Sequence, residues 1–165
     1  MLLAVALKTG EYDTPEIGQS EMPPALRPDH GLFEFDIQAA ITAAVREAFD
    51  LMLDMQIRSS EGDAPAGHGG SRLSGGICFS GDIWGWMNIE FSESFSRRIA
   101  AIMLAMAPDE LDDIEEVKDV IGEVCNMVAG GLKSSLCDAG CNCRISPPTF
   151  TQGSDFELEC GHLDR

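Results

Sequence analysis

Basic residues are scarce in this chain: 11 Lys and Arg stand against 28 Asp and Glu, giving a formal charge of -17 and a pI near 4.3. Phosphate backbones need clustered Lys and Arg, so the imbalance argues against a nucleic-acid ligand and disfavours an anionic membrane surface. Solubility alone accounts for the charge. Long apolar runs are also lacking, since none approaches the ~18 residues that a membrane span needs. The apolar start, Met1 to Leu7, has no basic leader and no small-residue cleavage pattern, so a signal peptide is not expected and a cytoplasmic location is. Familiar catalytic templates are missing as well: there is no Ser-His-Asp order, no glycine-rich phosphate loop and no H-E-x-x-H helix. Nothing repeats at a fixed period.

What is present is a globular composition, 44% hydrophobic over 165 residues, enough for one domain with a sizeable core. Pro15, Pro23, Pro24 and Pro28 prevent a long regular element near the start. Residues 1–35 are therefore expected to form a partly mobile extension, with Met1 to Thr9 able to add a strand to a sheet edge, and 36–165 to form the domain proper. Asp36 to Ile57 has helical spacing, with Asp36 as N-cap and Ile37, Ile41, Ala44, Val45, Ala48, Met52 and Met55 on one side. Ser59 to Ser74 is rich in Gly and Ser and reads as a loop carrying a solvated His68.

From Gly75 to Phe91 the hydrophobic period changes to two around Ser80-Gly81-Asp82, the pattern of an antiparallel hairpin. Trp84 and Trp86 share one strand face, read as sheet packed beneath helices rather than a ligand cage. Ser92 caps a helix over Glu93 to Met106, which Pro108 ends. Later come a short strand over Asn142 to Ser146, a rigid Pro147-Pro148-Thr149 turn and a closing strand over Phe156 to Cys160. The order predicts an α+β fold, a central antiparallel sheet with long helices packed on one face.

The most informative stretch is Asp113 to Leu136, DIEEVKDVIGEVCNMVAGGLKSSL. Ile114, Val117, Ile121, Val124, Val128 and Leu132 fall in one stripe at about 100° per residue, an amphipathic helix facing a core. Asp119, Glu123, Asn126 and Gly130 line the other side, where Glu123 and Asn126, three apart, are surface neighbours. Gly122, Gly130 and Gly131 each cost the helix roughly 1 kcal/mol relative to Ala, which implies that something comes close.

Six cysteines, Cys78, Cys125, Cys137, Cys141, Cys143 and Cys160, are read as reduced thiols. Cys137, Cys141 and Cys143 with Cys160 and His162 invite a zinc reading, but the spacing is not a pair of C-x2-C knuckles and packing is favoured. Glu123 and Asn126 remain. An amide can hold and aim a water while a carboxylate pairs with a cation, a positioning device suited to hydrolysis of a phosphoryl group. From spacing alone, Glu-x-x-Asn is more often a solvated helix face.

The run from Ile121 to Gly130, Ile-Gly-Glu-Val-Cys-Asn-Met-Val-Ala-Gly, followed by Ile145-Ser-Pro-Pro-Thr149, resembles the signature of the CheX and CheC chemotaxis phosphatases. The Gly-Gly-Ile hairpin, the Phe-Ser-Glu-Ser helix start and the Leu-Asp-Asp entry to the long helix are similar to CheX, and the resemblance spans about residues 36–160 in order of elements. It implies a phosphatase acting on the aspartyl phosphate of a CheY-like response regulator. Asn126 would orient the attacking water, Glu123 would pair with the regulator's active-site lysine, and Asp119, Gly122 and Gly130 would border the partner. No cofactor is implied in this chain, and Mg²⁺ would sit on the regulator. The first helix carries Glu47-Ala-Phe-Asp50 where two-site members have a second Glu-x-x-Asn, so one site per chain is implied, along with a homodimer. The family usually has further strands, so the sheet is expected to be either truncated or completed by Met1 to Thr9 or by a partner chain. The alternatives are a catalytically silent binding or dimerisation module of the same fold, and a thiol or metal protein built on Cys137 to Cys160.

Overall fold

The computed structural model describes residues 1–9, 35–58, 70–107, 110, 111 and 113–154, and for 2–9 it describes the backbone. The elements run β1 (Leu2–Thr9), α1 (Ile37–Leu53), β2 (Arg72–Gly81), β3 (Ile83–Ser92), α2 (Glu93–Leu104), α3 (Ile114–Asp138), β4 (Cys143–Ile145) and β5 (Thr149–Gly153). This is the α+β architecture that the sequence predicts. All strand pairs are antiparallel, in the order β1-β3-β2-β4, and β5 also pairs with β2.

Each helix begins where a short polar side chain can accept an orphan backbone N–H. Asp36 accepts from the Ala39 amide at 2.9 Å, Ser92 from the Phe95 amide at 3.4 Å, and Asp113 from the Glu115 amide at 2.9 Å. Two helices stop earlier than their apolar pattern does. Asp54 (φ 50°) ends α1 after Leu53, and Ala105 (φ 53°) ends α2 after Leu104, ahead of Pro108. A single left-handed residue redirects the chain, so no proline is needed at either end.

The hairpin turns at Gly81 (φ 148°), whose missing side chain leaves room for the Asn142 carbonyl. Leu73, Ile77 and Phe79 of β2 and Ile83, Met87, Ile89 and Phe91 of β3 alternate onto one sheet face and join the buried core with the apolar sides of the helices. Trp84 and Trp86 occupy the intervening positions. They belong to the reverse face and are half-buried there, not packed beneath the helices, because the alternation of β3 fixes Ile83 and Met87 toward the core. Strand β2 starts at Arg72, so the end of the expected 59–74 loop is sheet; residues 59–69 lie outside the described set. The edge strand expected of Met1 to Thr9 forms, with Leu2 opposite Glu90 and Thr9 opposite Ile83. The strand expected over Phe156 to Cys160 lies outside the described residues.

β5 is an element that the sequence reading missed. Ile145 faces Phe79 and Thr149 faces Gly76, so residues 146–148 stand opposite only 77 and 78 of β2. β4 and β5 are thus one edge strand broken by a bulge with one extra residue, and the two prolines sit where a sheet tolerates them.

Candidate active site

Val117, Ile121, Val124, Val128 and Leu132 of α3 are each at most 1% exposed, which anchors the helix along the stripe seen in the sequence. The opposite side is held open. Asp119 and Glu123 are exposed, and Asn126 and Gly130 are half-buried. Among the described residues, neither Glu123 nor Asn126 hydrogen-bonds or ion-pairs with another side chain. An unengaged amide beside an unengaged carboxylate is ready to meet groups from outside the chain.

Two walls flank this strip. Setting Gly122 at 0° and stepping about 100° per residue, Asn126, Asp119, Gly130 and Glu123 fall between roughly 40° and 100°, and Gly131 near 180°. At Gly122 the helix meets the β4–β5 bulge: a Cβ there would lie 3.2 Å from Phe150 Cζ and 3.3 Å from Pro148 Cγ. At Gly131 it meets α1, where a Cβ would lie 2.9 Å from the Ala44 Cβ. Two of the three costly glycines are therefore explained by packing within the chain. Gly122, expected at the partner interface, is buried, and the approach that it permits is that of Pro148 and Phe150. Gly130 has nothing within 4 Å of its Cβ position and stays open beside Asn126. Sequence reasoning singled out the Pro-Pro turn but not Phe150, because the register slip that brings Phe150 over α3 leaves no mark in the hydrophobic pattern.

Beyond Gly131 an open groove of about 320 Å³ separates α1 from α3, lined by Glu47, Ala48, Leu51, Met127 and Ser134 among others. Glu47 and Asp50 are exposed on α1 while Phe49 between them is buried. The first half of α3 is acidic, with Glu115, Glu116, Asp119 and Glu123 against Lys118, and Lys118 is engaged by Glu115 at 2.6 Å. The strip thus offers a favourable surface to a cationic side chain.

The thiols are distributed differently. Among the described residues, no group of three or more His, Cys, Asp or Glu could hold a metal ion, and Cys160 and His162 lie outside that set. Burial pushes the Cys141 and Cys143 thiols up, and pushes Cys125, packed behind the open strip against Gly75, up to about 12. A buried thiol held protonated is a poor nucleophile. In native protein at pH 8, a disulfide reagent should label exposed Cys78 and spare Cys125 until the chain is unfolded, as mass mapping would show. The linkage has a sign: the unfolded thiol ionises near 8.5 and the folded one does not, so stability is unaffected below that pH and falls as pH rises toward 12.

The family model described as chemotaxis phosphatase CheX matches residues 73–164, more than half of the chain. The chain belongs to the CheX family. Its match to the CheY-P phosphatase CheX of Thermotoga maritima is 33% identical over 84 residues, 50% of this chain and 53% of that protein. The CheX-family chain thus spans about half the length of the curated relative it matches. A crystal structure of chemotaxis protein CheX from Vibrio vulnificus aligns with a TM-score of 0.64 at 27% identity, covering 76% of this chain and 80% of that one. A CheX-CheY-BeF3-Mg²⁺ complex from Borrelia burgdorferi aligns with a TM-score of 0.55 at 23% identity, covering 70% and 75%, a likeness of fold. The CheX-like architecture expected from the sequence is therefore the one observed. No helix among the described residues is long and apolar enough to cross a membrane.

Proposed function

We propose that this chain hydrolyses the aspartyl phosphate of a CheY-like response regulator, with α3 laid across the regulator's active site. The observation that carries the proposal is the pairing of Glu123 and Asn126 on the open strip of a helix whose other side is buried, both side chains unengaged among the described residues, in a member of the CheX family. A relative that matches half of the chain is a CheY-P phosphatase, and a structural neighbour has been crystallised with CheY, beryllium fluoride and Mg²⁺.

In this mechanism the Asn126 amide enters the regulator's site and holds a water in line with the phosphorus. The water oxygen bonds to phosphorus as the bond to the aspartyl oxygen breaks, which releases inorganic phosphate and restores the aspartate. Phosphoryl transfer depends largely on positioning and electrostatics, so one aimed amide is a sufficient contribution from this side. Glu123, one turn away, pairs with the regulator's lysine and fixes the register, while Asp119 and Gly130 border the contact. The Mg²⁺ and remaining acidic residues belong to the regulator. Asp50 of α1 cannot donate an amide hydrogen bond, which leaves one site per chain. The chain works in the cytoplasm as a homodimer.

The test is the decay of a phosphorylated receiver domain with and without the full chain. Added chain should accelerate decay in proportion to its concentration; equal decay in both samples leaves only a binding module. Glu123→Gln separates the two roles. Losing one ion pair at an interface removes about 1 kcal/mol, so KM should rise several-fold while kcat stays within about twofold. The dependence of KM on salt should weaken too.

A further inference from the structure

We infer that Phe150 and Pro148 are positioning residues, a wedge between sheet and helix that sets the rotation of α3 and so the aim of Asn126 and Glu123. The inference rests on the functional reading above but concerns residues that touch neither phosphate nor water. Phe150 is opposite Gly75 in the β2–β5 ladder, and a Cβ at Gly75 would lie 3.6 Å from Phe150 Cε1. On its other side the ring's Cζ faces Gly122 at 3.2 Å from the Cβ position there. The ring thus fills the space that Gly122 leaves on the helix immediately before Glu123, and touches the sheet at Gly75, where Cys125 Sγ is the nearer neighbour. A side chain at Gly122 would crowd the ring, whereas one at Gly75 would first strike Cys125.

The wedge is rigid because the bulge that carries it is tied to β2 on both sides of the prolines. Before them, the Ser146 amide donates to the Cys78 carbonyl at 2.9 Å and the Cys78 amide donates to Ser146 Oγ at 3.0 Å. After them, Thr149 Oγ1 donates to the Gly76 carbonyl at 3.2 Å. Between these ties the two prolines have fixed φ, so Pro148 Cγ and the Phe150 ring cannot retreat independently. The extra residue of the bulge is what places Phe150, rather than Thr149, opposite Gly75 and on the helix side of the sheet. If the wedge is stiff and the helix surface is what must give, a small change at Gly122 turns the strip that carries Asn126.

Gly122→Ala is the direct probe. Alanine is the better helix former by roughly 1 kcal/mol but its methyl group would press on Phe150 and Pro148, so a merely structural role predicts a change in stability alone, with unchanged turnover. The positioning role predicts something else. Displacement of a catalytic group by a fraction of an ångström lowers kcat about tenfold while KM stays within about threefold, with the thermal midpoint retained. Phe150→Leu in the Gly122→Ala background makes room for the methyl group and should return kcat to within about twofold of Phe150→Leu alone, a coupling that distant sites would not show.

If wild type does not accelerate receiver decay, the functional reading falls and this inference with it. If wild type does so and folded Gly122→Ala keeps wild-type kcat, or the double variant shows no recovery, the inference alone is overturned. Should Gly122→Ala fail to fold, Pro148→Ala, which removes the other contact from a half-buried turn, must lower kcat several-fold in folded protein; wild-type kcat there overturns the inference.

Discussion

Asn126→Ala should lower the turnover of a phosphorylated receiver domain by about 10²- to 10³-fold, the loss seen when one preorganised hydrogen-bond donor is removed from a developing phosphoryl or acyl transition state. The side chain is half-buried and makes no hydrogen bond or ion pair with another described residue, so its removal breaks no internal contact. Alanine is also the better helix former, by a few tenths of a kcal/mol. The thermal midpoint should therefore hold or rise while kcat collapses. KM should change little, because the anchoring charge belongs to Glu123. Single-turnover decay of the phosphoreceiver at saturating protein separates the two parameters. Equal decay with wild type and Asn126→Ala would remove Asn126 from the mechanism and leave the fold assignment intact. Asn126→Asp is a sharper version, since its carboxylate cannot donate a hydrogen bond and repels the phosphoryl oxygens.

Phe91→Ala should be the most damaging single change to the fold, costing about 3–5 kcal/mol out of the roughly 5–15 kcal/mol available to a domain. Phe91 is 0% exposed and lies on β3, the strand held between β1 and β2, opposite Leu73. Its ring sits 6.2 Å from that of Phe95 on α2, which in turn stacks 6.4 Å from Phe49 on α1. One truncation therefore opens a void at the point where the sheet meets two helices, and rigid neighbours cannot close it. Urea unfolding should show a lower midpoint with little change in slope. Leu51→Ala serves as the control: at 68% exposed on the rim of the α1–α3 groove, that side chain is outside the core and its loss should cost no more than about 0.5 kcal/mol. A midpoint for Phe91→Ala close to that of Leu51→Ala would mean that the aromatic cluster does not hold the layers together.

The long helix was legible because its stripe and its caps are local properties. Apolar residues at helical spacing fix which side of α3 is buried whatever it packs against, and Asp36, Ser92 and Asp113 mark helix starts through contacts no more than three residues away. The hairpin was legible for the same reason, period two interrupted by a turn. Its facing was not. Two large aromatics at Trp84 and Trp86 look more core-like than Ile83 and Met87, and only the shared register with β2 decides which set meets the helices. Helix ends at Asp54 and Ala105 were missed because a left-handed residue other than glycine or asparagine has no compositional signal.

By itself the sequence determined the composition of the exposed strip on which the proposed chemistry rests: Glu123 and Asn126 three apart, opposite an apolar stripe, in a run that resembles one family. Tertiary structure alone decided what surrounds that strip. Gly122 reads as a partner contact and Gly131 as a close approach of unstated origin; Phe150 and Pro148 fill the space beside the first and Ala44 beside the second, leaving Gly130 open. Local spacing says which side of a helix faces solvent. What stands next to it depends on contacts between residues distant in the chain, such as Gly122 with Phe150, and on a register slip of one residue that no periodicity records.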